Sequence, residues 1–244
     1  MSTAERFVEL HQSGCFVMPN PWDVGSAKLL EEAGFEALAT TSSGFAWTLG
    51  RDDGEAALPE LLDHISAMTA AVSVPLSVDL ENGGDDPAAA ITQVAGAGAV
   101  GASIEDWGPE EGLYEIDHAV ERLTAAISAA RALDFPFTLT ARAENFFRGN
   151  PDLDDTIARL QAYEAAGADV LYAPRLTTPE EVRAVCAAVS KPVNVLAWPG
   201  LTLEEITDAG ARRVSVGGRL TWVAVGAAKD AAKRIAEGDL SVLD

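Results

Sequence analysis

Short, almost wholly apolar runs recur about every thirty residues along this chain, and each is followed by a longer amphipathic stretch. The runs are CFVMPN (15–20), EALATT (36–41), VPLSVDL (74–80), VGASIED (100–106), FPFTLTAR (135–142), ADVLYAP (168–174), KPVNVLA (191–197) and RRVSVGG (212–218). Between them lie helical patterns such as SAKLLEEAG, LPELLDHISAMTAAV, DHAVERLTAAISAARAL and LDDTIARLQAYEAAG. Several reach a glycine just before the next strand (Gly34, Gly167, Gly210), the residue that best ends a helix. Strands without polar alternation are buried on both faces, which implies a parallel sheet covered by helices. Eight such units in 244 residues predict an α/β protein, one closed (β/α)8 TIM barrel spanning 1–244 as a single domain, rather than an open doubly wound sheet. With 48% hydrophobic residues, the chain has ample material for that core.

A barrel carries its chemistry on the loops after its strands, so strand-end residues come first. Asp79 in the third run and Glu81 just after it are two residues apart, so they leave an extended strand on the same face, and Asn82, Gly83 and Gly84 follow. Glu105 and Asp106 end the fourth run, and Asp52 and Asp53 lie in the loop after the second. In a chain with 38 acidic residues, any one of these alone reads as solvated loop charge. Together, carboxylates converging in a concave mouth repel one another and call for a cation or shifted pKa values. Oxygen ligands without histidine or cysteine nearby suit Mg2+ (or Mn2+) rather than zinc. Arg142 ends the fifth run, where its guanidinium can hold a substrate carboxylate or pair internally with Glu105 or Glu144. TSSGF (41–45) has the composition of a turn whose amide groups can cradle an anion.

Other features exclude more than they assign. A formal charge of −21 disfavours nucleic acid and anionic membrane surfaces as partners. The first residues are polar and lack a signal core, no run of 18 apolar residues occurs, and two cysteines form no framework; the reading is a cytoplasmic protein. His11, His64 and His118 read as helix-surface residues, while Trp107 and Tyr114 suit either substrate contact or loop packing.

The strand-end residues, in this order, resemble the isocitrate lyase/phosphoenolpyruvate mutase superfamily. The likeness rests on MPNPWDVGSAKLLEEAGFEALATTSSGF, LGRDDG, DLENGG, GASIED, LTARAENF and YEAAGADVLYAP, and PVNVLAWPG and RRVSVGG extend it over nearly the whole chain. It implies a Mg2+ ion in the barrel mouth and a small carboxylic-acid substrate. Asp79 would ligate the metal directly, and Asp53, Glu81 and Glu105 would hold its waters, with Asp52 competing for the place of Asp53. The backbone of Ser43, Gly44 and Phe45 would cradle the substrate carboxylate, and Arg142 would face the reacting oxygens. Two departures narrow the activity. The loop after the fourth strand, WGPEEGLYEIDHAV, lacks the lysine–cysteine–glycine–histidine signature of the lyases and the asparagine of the phosphonomutases. Isocitrate or methylisocitrate cleavage is therefore not expected. Arg175 replaces a glutamate of the lyases, where a cation can recognise a second anionic group or pair with surface acids. The expectation is a Mg2+-dependent carbon–carbon lyase acting on an oxaloacetate-like α-keto dicarboxylate through a metal-bound enolate. The alternatives are a phosphonopyruvate hydrolase or phosphonomutase, and a non-catalytic metal-dependent carboxylate binder. Tyr114, Glu144 and Asp106 are candidate proton donors, NFFRGNPD (145–152) is a candidate lid, and a homo-oligomer (dimer or tetramer) exchanging its last helix is implied.

Overall fold

The computed structural model describes residues 1–243. Eight parallel strands form one sheet: β1 (Phe16–Met18), β2 (Leu38–Ala39), β3 (Leu76–Asp79), β4 (Gly101–Glu105), β5 (Thr138–Arg142), β6 (Val170–Tyr172), β7 (Val193–Leu196) and β8 (Arg213–Ser215). Each falls inside one of the apolar runs, trimmed at its ends where the chain leaves the ladder. The order is β1-β8-β7-β6-β5-β4-β3-β2, so neighbours in sequence are neighbours in the sheet. The β1/β2 seam closes the barrel with fewer bonds than a full ladder. Ala39 N–H donates to the Pro19 carbonyl at 3.1 Å, and Pro19 has no N–H to return. Asn20 completes the seam: its Nδ2 donates to the Thr40 carbonyl (2.9 Å), and its Oδ1 accepts from Val216 and Gly217 N–H (2.9 and 2.8 Å).

Ten helices flank the strands: α1 (Thr3–Leu10), α2 (Val24–Glu32), α3 (Ser42–Thr48), α4 (Leu58–Thr69), α5 (Pro87–Gly96), α6 (Ile116–Arg131), α7 (Leu153–Ala166), α8 (Pro179–Ala188), α9 (Leu203–Asp208) and α10 (Arg219–Ala236). Their apolar faces and the outer face of the sheet form the main core, with Leu38, Ile65, Ile91, Leu139 and Leu171 fully enclosed. Gly167 ends α7 at φ +104°, as its place before a strand predicts.

Two expectations are corrected. TSSGF is the first turn of α3 rather than an irregular turn, because Thr41 caps that helix. His11 is buried, not on a helix surface. α1 plugs the N-terminal end of the barrel, and His11 follows it. Its Nδ1 bonds the Phe7 carbonyl (2.7 Å), leaving Nε2 to accept from Arg213 Nη1 (3.2 Å). Burial and the Arg213 charge hold His11 neutral, with its pKa down at about 3. Arg213, also buried, donates further to Asn194 Oδ1 (2.8 Å) and Thr140 Oγ1 (3.0 Å) inside the barrel. α10 is the loosest element: of its 18 residues only Thr221 is buried, and Trp222, Val223 and Ile235 are exposed. Among the described residues no helix is long and apolar enough to cross a membrane.

Candidate active site

The opposite end of the barrel holds the acids. β3 ends at Asp79, whose N–H donates to Thr40 Oγ1 (2.9 Å), while its carboxylate lies 3.4 Å from both Ser42 N and Ser103 Oγ. Glu81 then takes φ +51°, a left-handed conformation that costs a non-glycine residue energy and turns the chain out of the strand. Its carbonyl accepts from Glu105 N–H at 2.8 Å, locking the ends of β3 and β4 together. Glu105 is buried, and its two carboxylate oxygens meet Arg142 Nη1 (3.3 Å) and Arg148 Nη2 (3.2 Å). Both guanidinium groups also grip Glu144, Arg142 through Nε and Arg148 through Nε at 3.0 Å. Arg142 Nη1 further approaches Asp79 Oδ1 at 3.6 Å. Asp79 Oδ1 and Glu105 Oε2 thus share one cation and lie no farther apart than the sum of 3.6 and 3.3 Å.

These groups line a cavity of about 260 Å³ with Asp53 and Glu81 among its walls. Trp107 closes one side, under Arg148 at 3.5 Å from its ring centre; Tyr172 and Phe147 close another, with Arg142 5.3 and 6.0 Å from theirs. Crowding of acids in a desolvated mouth shows in their protonation. Burial, then Asp79 and Asp53, push Glu81 up to about 7. Burial pushes Glu105 up to about 8 against the pull of Arg142, with Glu144 and Asp79 adding to the rise. Asp53 is raised by burial and by Asp79, against a hydrogen bond from Ser42.

The donor set fits Mg2+. Among the described residues no three metal-ligating side chains close into a ready-made cage, since Arg142 and Arg148 lie between the acids. Mg2+ needs no such cage: it keeps several waters and takes one or two carboxylates. The carboxylates of Asp53, Asp79, Glu81 and Glu105 around the cavity are the hard oxygens that would hold such an ion.

The sequence profile of phosphoenolpyruvate phosphomutase matches residues 7–236. The chain belongs to this family. It is an enzyme of the isocitrate lyase/phosphoenolpyruvate mutase superfamily. A solved structure from Burkholderia cenocepacia J2315, named only at the level of lyase/mutase, is 52% identical with a TM-score of 0.92, covering 96% of this chain and 87% of that one. Oxaloacetate decarboxylase of Paraburkholderia xenovorans (strain LB400) is 28% identical over 249 residues, covering 96% of this chain and 82% of the relative. A phosphonopyruvate hydrolase solved with oxalate and Mg2+ is 25% identical with a TM-score of 0.89, covering 100% of this chain and 90% of that one.

Of the sequence-predicted residues, Asp53, Asp79, Glu81, Glu105, Arg142 and Ser43 all line the cavity. Asp52 and Asp53 are both exposed, but only Asp53 lines the cavity; the Asp52 N–H donates to the Glu55 carboxylate within the loop (3.0 Å). Gly44 and Phe45 lie behind the cavity wall. The Phe45 N–H donates to the Thr41 carbonyl (3.0 Å) as part of α3, and its ring stacks on His64 at 4.0 Å. Ser42 and Ser43, at the start of α3, line the cavity, and the Ser42 N–H donates to Asp79 Oδ2 at 3.4 Å.

The three candidate proton donors are also off the cavity. Tyr114 is buried with its hydroxyl accepting from Asn82 Nδ2 (2.9 Å), because the loop after β4 folds back as a short hairpin, Trp107–Gly108 against Gly112–Leu113. Glu144 is enclosed behind the two arginines. Asp106 is a structural hub, accepting from Glu144 N–H (2.7 Å), Arg159 Nη1 (3.0 Å) and the Tyr163 hydroxyl. The candidate lid 145–152 is a run of turns closed on itself, with the Asn145 amide donating to the Asp152 carbonyl (3.0 Å) and Thr156 Oγ1 (2.7 Å). It delivers Phe147 and Arg148 to the mouth. Reasoning from the sequence missed Arg148; its one local signal is a position four residues past Glu144.

Proposed function

We propose that this protein is a Mg2+-dependent carbon–carbon lyase that cleaves a small α-keto dicarboxylate of the oxaloacetate type through an enolate. The observation that carries the reading is the pairing of Asp79 and Glu105 on Arg142 inside one acid-lined cavity. The resemblance to an oxaloacetate decarboxylase and to an oxalate- and Mg2+-binding hydrolase supports it. When bound, the cation supplies a Lewis acid to the keto oxygen. The chain's own residues do the rest. The backbone of Ser43, on the cavity wall at the start of α3, receives the substrate carboxylate. Arg142, fixed by Glu105 and Glu144, is a preorganised charge beside the bond that breaks, so it stabilises the enolate without reorganising. Tyr114, Glu144 and Asp106 lie off the cavity, so none of them is assigned the proton returned to the enolate.

Pyruvate release from oxaloacetate is the test. It is expected to stop with EDTA and in Asp79→Ala; unchanged turnover in both would remove the metal from the mechanism. A second reading, cleavage of a phosphonopyruvate-type substrate, is supported by the hydrolase relative and by the second cation Arg148, and phosphorus NMR of released phosphate distinguishes it. The free cysteines Cys15 and Cys186 support a cytoplasmic setting. The exposed apolar side of α10 supports a homo-oligomer, read by light scattering as a mass above 25.5 kDa.

A further inference from the structure

The segments that follow three consecutive strands, β6, β7 and β8, carry Arg175, Trp198 and Arg219, the last as the first residue of α10. The two guanidinium groups sit on the one indole, 4.8 and 3.8 Å from its ring centre. Among the described residues neither forms an ion pair, whereas Arg142, Arg148 and Arg159 each hold at least two carboxylates. Both cations stack on one ring with no carboxylate to neutralise them, which leaves their donors available to an anion. Arg175 also holds a left-handed backbone, φ +69°, a strain that non-glycine residues keep where surrounding structure imposes it, often at ligand sites.

Their position links them to the acid-lined cavity. A second, more open cavity of about 680 Å³, lined by Trp198 and Arg219, shares Ser43, Asp53, Phe147 and Gly218 with the first. The Phe147 ring separates the two arginine groups, 6.0 Å from Arg142 and 5.8 Å from Arg175. The guanidinium carbons of Arg142 and Arg175 are therefore no farther apart than the sum, 11.8 Å, and one small molecule can touch both.

We infer that Arg175 and Arg219, braced on Trp198, form a subsite for the distal carboxylate of the substrate, and so select keto diacids over keto monoacids. This rests on the proposed function, in which the α-keto carboxylate end occupies the first cavity. Trp198 holds both cations in place without neutralising them, which a carboxylate partner would do. The planar guanidinium fork then meets a carboxylate with two parallel hydrogen bonds.

Matched ligand pairs that lack the cleavable β-carboxylate test the subsite by titration calorimetry with Mg2+: 2-oxoglutarate against 2-oxopentanoate, and 2-oxoadipate against 2-oxohexanoate, with oxalate as a probe of the first cavity alone. The wild type is expected to prefer the diacid of at least one pair by tenfold or more. Arg175→Gln and Arg219→Gln should each cut that preference severalfold, Arg175→Lys should keep part of it, and oxalate affinity should stay within twofold throughout. Oxalate binding with no diacid preference, or with a preference that both Gln variants retain, overturns the subsite while the proposed function stands. Failure of the wild type to bind oxalate overturns the proposed function and the subsite with it.

Discussion

Replacing Asp106 separates a structural acid from a catalytic one. Its carboxylate is buried with Arg159 and Tyr163, and each of its oxygens is in use: Oδ1 by the Glu144 amide, Oδ2 by Arg159 and the Tyr163 hydroxyl. Asp106→Asn keeps the volume and removes the charge, leaving Arg159 with Asp155 (2.9 Å) as its remaining ion-pair partner beside the Tyr114 carbonyl (2.7 Å). Breaking a buried pair by removing one partner costs about 3–5 kcal/mol. The remaining Asp155 contact, on a half-exposed carboxylate, offsets a fraction of that, so a loss of about 3 kcal/mol is the working figure. For a chain of this size each kcal/mol moves the melting temperature by roughly 2–4 °C, giving a fall on the order of 10 °C. Circular dichroism melts read this directly, and oxaloacetate turnover at 15 °C reads the catalytic side. The expected result is a large fall in melting temperature with kcat reduced less than tenfold. A variant that melts like the wild type yet has lost turnover would refute the structural role and restore Asp106 as a proton donor.

Magnesium affinity should climb between pH 6 and 8 with protons released on binding, because Glu81 and Glu105 are pushed up to about 7 and 8 and must ionise to serve the metal; calorimetry in two buffers of different ionisation enthalpy checks this. The same shifts set the stability of the metal-free protein. Carboxyl groups raised in the folded state contribute stability that is full below their unfolded pKa of about 4.5 and lost as pH rises through the folded values. Metal-free melting temperatures should therefore fall from pH 6 to 9, and a flat profile would contradict the crowding of the acids. Gly44→Ala should destabilise by about 1–3 kcal/mol, since its Cβ would lie 2.6 Å from Thr41 Cγ2, 2.7 Å from Thr221 Oγ1 and 3.0 Å from Trp22 Cβ; urea unfolding measures it.

The barrel was legible because parallel strands buried on both faces leave apolar runs with no alternation, and eight of them in 244 residues have few other arrangements. Asp79, Glu81, Glu105 and Arg142 were legible for a related reason: each sits at a strand end, where the fold itself fixes position. Loop residues carry no such anchor. Asp53 and Asp52 differ by one place in the same loop, and only backbone geometry turns one into the cavity and the other toward Glu55. Tyr114 is drawn from the mouth by Asn82, 32 residues away, and Arg148 reaches Glu105 across 43. The His11–Arg213 contact joins residues 202 apart, beyond any local pattern. TSSGF is a case of competing signals: serine and glycine favour a turn, while Thr41 in capping position commits the segment to a helix.

The central claim is that acids from neighbouring strand ends hold a hard dication where an α-keto acid can reach it. Titration of Mg2+ into the protein with saturating oxalate, for wild type, Asp79→Ala and Asp53→Ala, tests it most directly. The account predicts a single site in the wild type, no measurable binding in Asp79→Ala, and an affinity lowered by roughly 10–100-fold in Asp53→Ala, as for a residue acting through a bound water. Equal Mg2+ affinity in all three proteins would contradict it.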